Sequence, residues 1–282
     1  CIELVAAENC PEVEHVIVDG GSSDGTAEKI KAAAARFSHL RWLSEPDNGQ
    51  SEAMNKGIKL ARAEVIGFLN IDDFYVPGTL RRILSLIPSL PKPALLVGNC
   101  MVLGEDEKPL FYNQPRNLKL QALLMGRRLH PYPVNPSQYF YHRQLHDLVG
   151  TYRTDCHYEM DAEFIFRAVQ KANLVYLNEH WGNFRLIAGT KTFEDNAQGL
   201  GADRLKHWYH HYRKDIGLFS RIKAALSYPL FHEQNLVGDW LLEHRSISAA
   251  AKSIFFPQIK YLLHTALKRH SAQDTEEIRD IT

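Results

Sequence analysis

The order of the apolar runs between His15 and Leu103 constrains this chain more than any other feature. HVIVD, LRWLSE, VIGFLNI and LLVGNCMVL are short, rich in β-branched and large apolar residues, and most are followed by turn formers such as GGSSDG and PDNG. Between these runs the apolar period changes from two or continuous to helical. Ala27, Ile30, Ala34 and Phe37 share one helical face; so do Ala53, Met54, Gly57, Ile58 and Ala61, and later Leu80, Ile83, Leu84 and Ile87. Strand and helix therefore alternate, which predicts an α/β fold with a mostly parallel central sheet flanked by helices.

Such sheets bind ligands beyond the carboxyl ends of their strands. Asp19 closes the first apolar run, and Asp72 and Asp73 close the third. Turn chemistry is one reading of these residues, since Asp and Asn are ordinary turn formers. The other follows from their apolar setting, where adjacent charges are costly unless a cation lies between them and a second anion. A hard ion such as Mg²⁺ or Mn²⁺ uses few protein carboxylates and completes its shell with water and phosphate oxygens. A nucleoside diphosphate carrier is the ligand that this chemistry suggests.

Three further features bear on class. Lys+Arg and Asp+Glu balance at 33 each, so no net field recruits nucleic acid. The four cysteines, Cys1, Cys10, Cys100 and Cys156, lack zinc-finger spacing and read as thiols of a reducing cytoplasm. Pro109, Pro115, Pro131, Pro133 and Pro136 interrupt the stretch from about Lys108 to His157, which is expected to be loops lining a site. Helical periodicity returns at Asp161 to Gln170, LVYLNE reads as a strand, and the chain from about Ala202 onward reads as helical.

In this order and spacing, VIVDGGSSDGT, SEPDNGQSEAMNKGI, FLNIDDFYVPGTL, VGTYRTDCHYEMDAEFIFRA and FRLIAGTKT resemble the family 2 glycosyltransferases of the type A fold, particularly bacterial members that build surface polysaccharides. The resemblance spans about Cys1 to Thr192. It implies a nucleotide-sugar-binding half over residues 1–107, an acceptor-side half over 108–200 and a helical extension over 201–282. Asp19 would read the nucleotide base, while Asp47, Gly49 and Asn55 would approach base and ribose. Asp72 would touch ribose and, with Asp73, hold Mg²⁺ or Mn²⁺. Asp161 would be the general base, with Glu163 the weaker candidate because two positions on it turns off the face of Phe164, Ile165 and Ala168. From the residues alone, a helix cap is the other reading of Asp161.

The implied reaction moves a sugar from a UDP-, GDP- or dTDP-sugar to a glycan or lipid-linked hydroxyl, with inversion, at the inner face of the cell membrane. A nucleotidyltransferase and a decayed nucleotide-binding scaffold are the rival expectations. Two departures stand out: the family's opening strand and part of the helix after it are not recognisable before VEH, and Ile187 occupies the place where the family often has a metal-binding His. Ile259, Leu262, Leu263, Ala266 and Leu267 form an apolar stripe beside Lys260, Lys268 and Arg269, which reads equally as a peripheral membrane contact or as a face packed on the domain. His207, His210 and His211 share one helical face and read as packing.

Overall fold

The computed structural model describes residues 1–156, 158–198 and 201–231. In chain order the elements are α1 (Ile2–Ala7), β1 (His15–Asp19), α2 (Thr26–Arg36), β2 (Leu40–Ser44), α3 (Gln50–Leu60), β3 (Val65–Gly67), β4 (Phe74–Tyr75), α4 (Thr79–Leu86), β5 (Ala94–Leu103) and β6 (Pro109–Asn113). There follow α5 (Leu120–Leu123), β7 (Tyr139–His142), α6 (Leu145–Val149), α7 (Met160–Ala168), β8 (Asn173–Arg185), α8 (Lys191–Gln198), α9 (Gly201–Arg213) and α10 (Leu218–Phe231). The stripe at Ile259 to Leu267 lies outside the described residues.

The strands form two sheets. β1 and β2 pair in parallel, with His15 opposite Leu40 and Asp19 opposite Ser44. The larger sheet runs β3-β7-β5-β8-β4, with β6 on the outer half of β5. Within it the pairing is mixed, which corrects the expectation of mostly parallel strands. β5 and β8 are parallel, but β3–β7, β5–β7, β5–β6 and β4–β8 are antiparallel. Two of these four antiparallel pairings belong to β7, a strand hidden in the proline-rich stretch. YFYH is too short to show a period, yet all four residues are buried, and it sits between β3 and β5. Among the described residues β1 and β3 share no ladder; an apolar groove of about 430 Å³ lies between them, lined by Val13, Val16, Val65, Ile66 and Leu80.

Side-chain alternation divides the core of the larger sheet. Leu95 and Val97 of β5 and Tyr139 and Tyr141 of β7 face one layer with Phe164, Phe166, Tyr209 and Tyr212; Leu96 and Phe140 face the other with Leu80, Ile83 and Trp181. In α9, Trp208, Tyr209 and Tyr212 are the buried members of the His-rich stretch, so aromatic packing determines which way that helix faces. Each fully buried Phe or Leu contributes about 2–3 kcal/mol relative to exposure. Glu163 of α7 is also fully buried, held by Arg167 through two contacts at 2.8 and 2.7 Å and by the Tyr212 hydroxyl at 2.7 Å.

β3 is shorter than VIGFLNI suggested. The ladder with β7 ends at Gly67, opposite Phe140, and Phe68 to Asn70 leave the sheet. The backbone then turns through Asn70 to Asp73, with the Asp73 N–H donating to the Asn70 carbonyl, before β4 begins. The turn brings the paired carboxylates to the edge where β8 ends.

Candidate active site

Asp19, Gly20 and Asp47 meet at the carboxyl end of the small sheet. Asp19 is 7 % exposed; its Oδ2 accepts from the N–H groups of Gly21 and Ser22 and from Ser44 Oγ, and its Oδ1 accepts from Ser22 Oγ. The two hydroxyl donors, Ser22 first, hold its carboxyl below the usual range, so it stays charged. Asp47 passes so near the chain that a Cβ at Gly20 would lie 2.8 Å from its Oδ2. Its Oδ1 accepts from the Gly49 N–H at 2.8 Å, and Gly49, at φ 124, caps α3 in a conformation that favours glycine.

Asn55, one turn and a half into α3, is differently employed. Its amide donates to the Tyr152 carbonyl at 2.8 Å and accepts from the Tyr152 N–H at 2.9 Å, so both ends tie α3 to the segment before α7. The polar residue at the head of α3 that reaches the acidic turn is Gln50, which donates to Asn70 Oδ1 at 3.2 Å. It lies within the QSEAMNKGI motif, but nothing in its spacing singled it out.

Asp72 and Asp73 are adjacent but unlike. Asp73 is 2 % exposed, and its Oδ2 accepts from Asn70 Nδ2 at 2.8 Å and Asn135 Nδ2 at 2.7 Å; its Oδ1 accepts from the Arg185 N–H at 3.1 Å. Burial, aided by the charge of Asp72 and opposed by these donors, pushes its carboxyl up to about 6. Asp72 is half-buried and takes no hydrogen bond from the described residues. No described ion pair involves either carboxylate. That donor set fits a hard divalent ion: Asp72 presents an open carboxylate and Asp73 Oδ1 carries a single protein bond, the one or two carboxylates that Mg²⁺ or Mn²⁺ requires beside phosphate and water. Among the described residues no three His, Cys, Asp or Glu side chains gather as a complete cage, and half-buried Ile187, past the end of β8, offers no ligand atom.

Asp161 lies in the first turn of α7, whose N-cap is Glu159 without a side-chain cap bond, so capping does not explain Asp161. It lines a cavity of about 620 Å³ with Arg127, Tyr132, Tyr158, Glu159 and Phe184. Its Oδ1 accepts from the Tyr139 hydroxyl at 2.8 Å. Burial raises its carboxyl to about 6 against the pull of that bond. Glu163, the weaker candidate, is committed to Arg167 and Tyr212 and does not join this cavity. The wall at Pro131 to Val134 continues directly into Asn135, the partner of Asp73.

The two sheets and their flanking helices define an α/β protein, and comparison refines that class. The pattern of the family described as "Glycosyl transferase family 2" matches residues 1–146. The chain belongs to this family. It is 29 % identical over 159 residues to an uncharacterized glycosyltransferase of Mycobacterium tuberculosis, covering 55 % of this chain and 57 % of that protein. To a PGL/p-HBAD biosynthesis glycosyltransferase of Mycobacterium bovis it is 27 % identical over 177 residues, 62 % of this chain and 65 % of that one. The match therefore spans less than two thirds of either relative. S. aureus TarS residues 1–349, solved with UDP-GlcNAc, superimpose with a TM-score of 0.53 at 18 % identity over 65 % of this chain and 53 % of that one; a further crystal structure of S. aureus TarS gives 0.55 at 15 % identity over 95 % and 50 %. The fold is the type A glycosyltransferase fold.

Proposed function

We propose that the protein is an inverting, metal-dependent glycosyltransferase that moves a sugar from a nucleoside-diphosphate donor to a hydroxyl of a glycan or lipid-linked acceptor in cell-surface polysaccharide biosynthesis. The observation that carries this reading is Asp161, a carboxylate raised to about 6 at the wall of an aromatic-lined cavity large enough for a sugar. The mycobacterial relative named for PGL/p-HBAD biosynthesis and the TarS complex with UDP-GlcNAc support the donor class and the surface-glycan setting.

In this reading residues 1–107 hold the donor and residues 108–200 the acceptor. Asp19, Asp47 and Gly49 line the nucleotide end, and Asp72 faces ribose and diphosphate. The acceptor hydroxyl docks within hydrogen-bond reach of Asp161, which takes its proton as the oxygen attacks the anomeric carbon. The bond to the diphosphate breaks on the opposite face, inverting the centre. A divalent ion held by Asp72, with Asp73 beside it, would supply charge neutralisation for the departing diphosphate.

A panel of UDP-, GDP- and dTDP-sugars, assayed with Mn²⁺ for released nucleoside diphosphate, tests the proposal. Release from one donor, lost in Asp161→Asn, supports it. Pyrophosphate release from a nucleoside triphosphate would instead indicate a nucleotidyltransferase, and no turnover of any donor with no calorimetric binding of UDP, GDP or dTDP in Mn²⁺ would leave the scaffold reading.

A further inference from the structure

We propose that Tyr139 is the positioning residue of Asp161: its hydroxyl, itself oriented by Tyr152, aims one carboxylate oxygen so that the other is presented to the cavity. An ionised carboxylate only accepts, so the single hydroxyl proton of Tyr139 points at Asp161 Oδ1, 2.8 Å away. The 3.4 Å contact between the hydroxyls of Tyr139 and Tyr152 can then run in one direction, with Tyr152 donating.

The neighbouring phenol, Tyr141, also interacts with Tyr152 but spends its own proton elsewhere. Tyr141 Oη is 2.9 Å from His146 Nε2, and His146 Nδ1 is 3.0 Å from the Gly150 carbonyl. A carbonyl cannot donate, so Nδ1 carries the proton, Nε2 accepts, and the Tyr141 proton is spent on the histidine. The Tyr141 proton is thereby directed away from Tyr152, and of these phenols only Tyr139 bonds Asp161.

The pair is held from both sides. Tyr139 belongs to β7, a central strand, and is fully buried; Tyr152 is 1 % exposed and stacks on Phe164 of α7 with ring centres 4.6 Å apart. Asn55 clamps both backbone groups of Tyr152 to α3. One turn earlier, Ser51 Oγ lies 3.2 Å from the Cys156 carbonyl and 2.8 Å from Met160 Sδ, tying the head of α3 to the start of α7. Asp161 is therefore fixed relative to the helix whose first residue follows Gly49. Burial keeps the Tyr139 and Tyr152 hydroxyls protonated well beyond the ordinary range, so they remain donors. The charged groups sharing the cavity are Arg127, Arg128 and Glu159; Tyr132, Tyr141 and Tyr152 are the other phenols that feel the Asp161 charge.

Carboxyl ¹³C NMR titration of the full chain tests this without a known acceptor, the Asp161 signal being assigned by its loss in Asp161→Asn. Removing one hydrogen bond to a charged acceptor should move the Asp161 midpoint upward by about one pH unit in Tyr139→Phe. Tyr152→Phe should give a smaller shift of the same sign, and it decides the matter if Tyr139→Phe does not fold. Wild-type midpoints in every folded variant would overturn the proposal. The inference builds on Asp161 as base, but the two fail separately. Full turnover in Asp161→Asn refutes the base and leaves the titration result standing. Lost turnover in Asp161→Asn beside an unmoved Tyr139→Phe midpoint refutes only the positioning.

Discussion

Asn135 donates its amide to Asp73 Oδ2 at 2.7 Å across 62 residues of sequence, joining the cavity wall to the acidic turn. Its own Oδ1 accepts from the Ser137 N–H at 2.8 Å, so one buried side chain shapes the entry to β7 and supplies a donor to the buried Asp73 carboxyl. Asn135→Ala removes both bonds and leaves a buried charge short of a donor. Urea denaturation should show a loss of about 2–3 kcal/mol, and a change below about 0.5 kcal/mol would deny Asn135 this role.

Asp72 takes no bond from the described residues, so Asp72→Asn should leave the melting temperature within about 2 °C of wild type, the scale expected of a surface change. Calorimetric binding of UDP in Mn²⁺ should weaken at least tenfold in the same variant. Equal affinity would remove Asp72 from the metal site.

Asp161→Asn keeps an acceptor for Tyr139 and removes the proton acceptor of the reaction. Turnover should fall by roughly a hundredfold or more, with UDP binding retained. Stability should move the other way. The folded carboxyl is raised to about 6, above its unfolded value, so its contribution is present at low pH and is lost as pH rises through about 6. Wild type should therefore lose about 2 kcal/mol between pH 4 and pH 7.5 through this group. In Asp161→Asn that part of the pH dependence should vanish, which paired denaturation curves would reveal.

Glu163→Gln should show the opposite signature. Glu163 is fully buried; it accepts two bonds from Arg167 of the same helix, and the one from Tyr212 ties α7 to α9. Replacing the charge leaves the Arg167 guanidinium uncompensated at a largely buried site, a cost of about 3 kcal/mol. Thermal melting should drop while the surviving folded protein turns over within about threefold of wild type. A stable Glu163→Gln protein without activity would transfer the base role from Asp161.

Much of this architecture was legible in the sequence because it is carried by local periods. α2, α3, α4 and α7 lie where the helical spacing put them, and β1, β2 and β5 where the apolar runs did. Asp19, Asp72 and Asp73 could be singled out because carboxylates at apolar strand ends are conspicuous without any knowledge of the fold. Tertiary structure decided the rest. β7 could not be recognised from four residues among prolines, since a strand buried on both faces shows no alternation and is defined only by β3 and β5 on either side. Asp72 and Asp73 look equivalent in sequence, and Asn135 and Arg185, 62 and 112 residues away, are what make one of them an internal hub and leave the other open. Glu163 and Asp161 stand two places apart on one helix, yet Arg167 and Tyr212 claim the first and Tyr139 directs the second. Periodicity states which face of an element is apolar; what a polar group on that element can do depends on partners that only chain closure brings within hydrogen-bond distance.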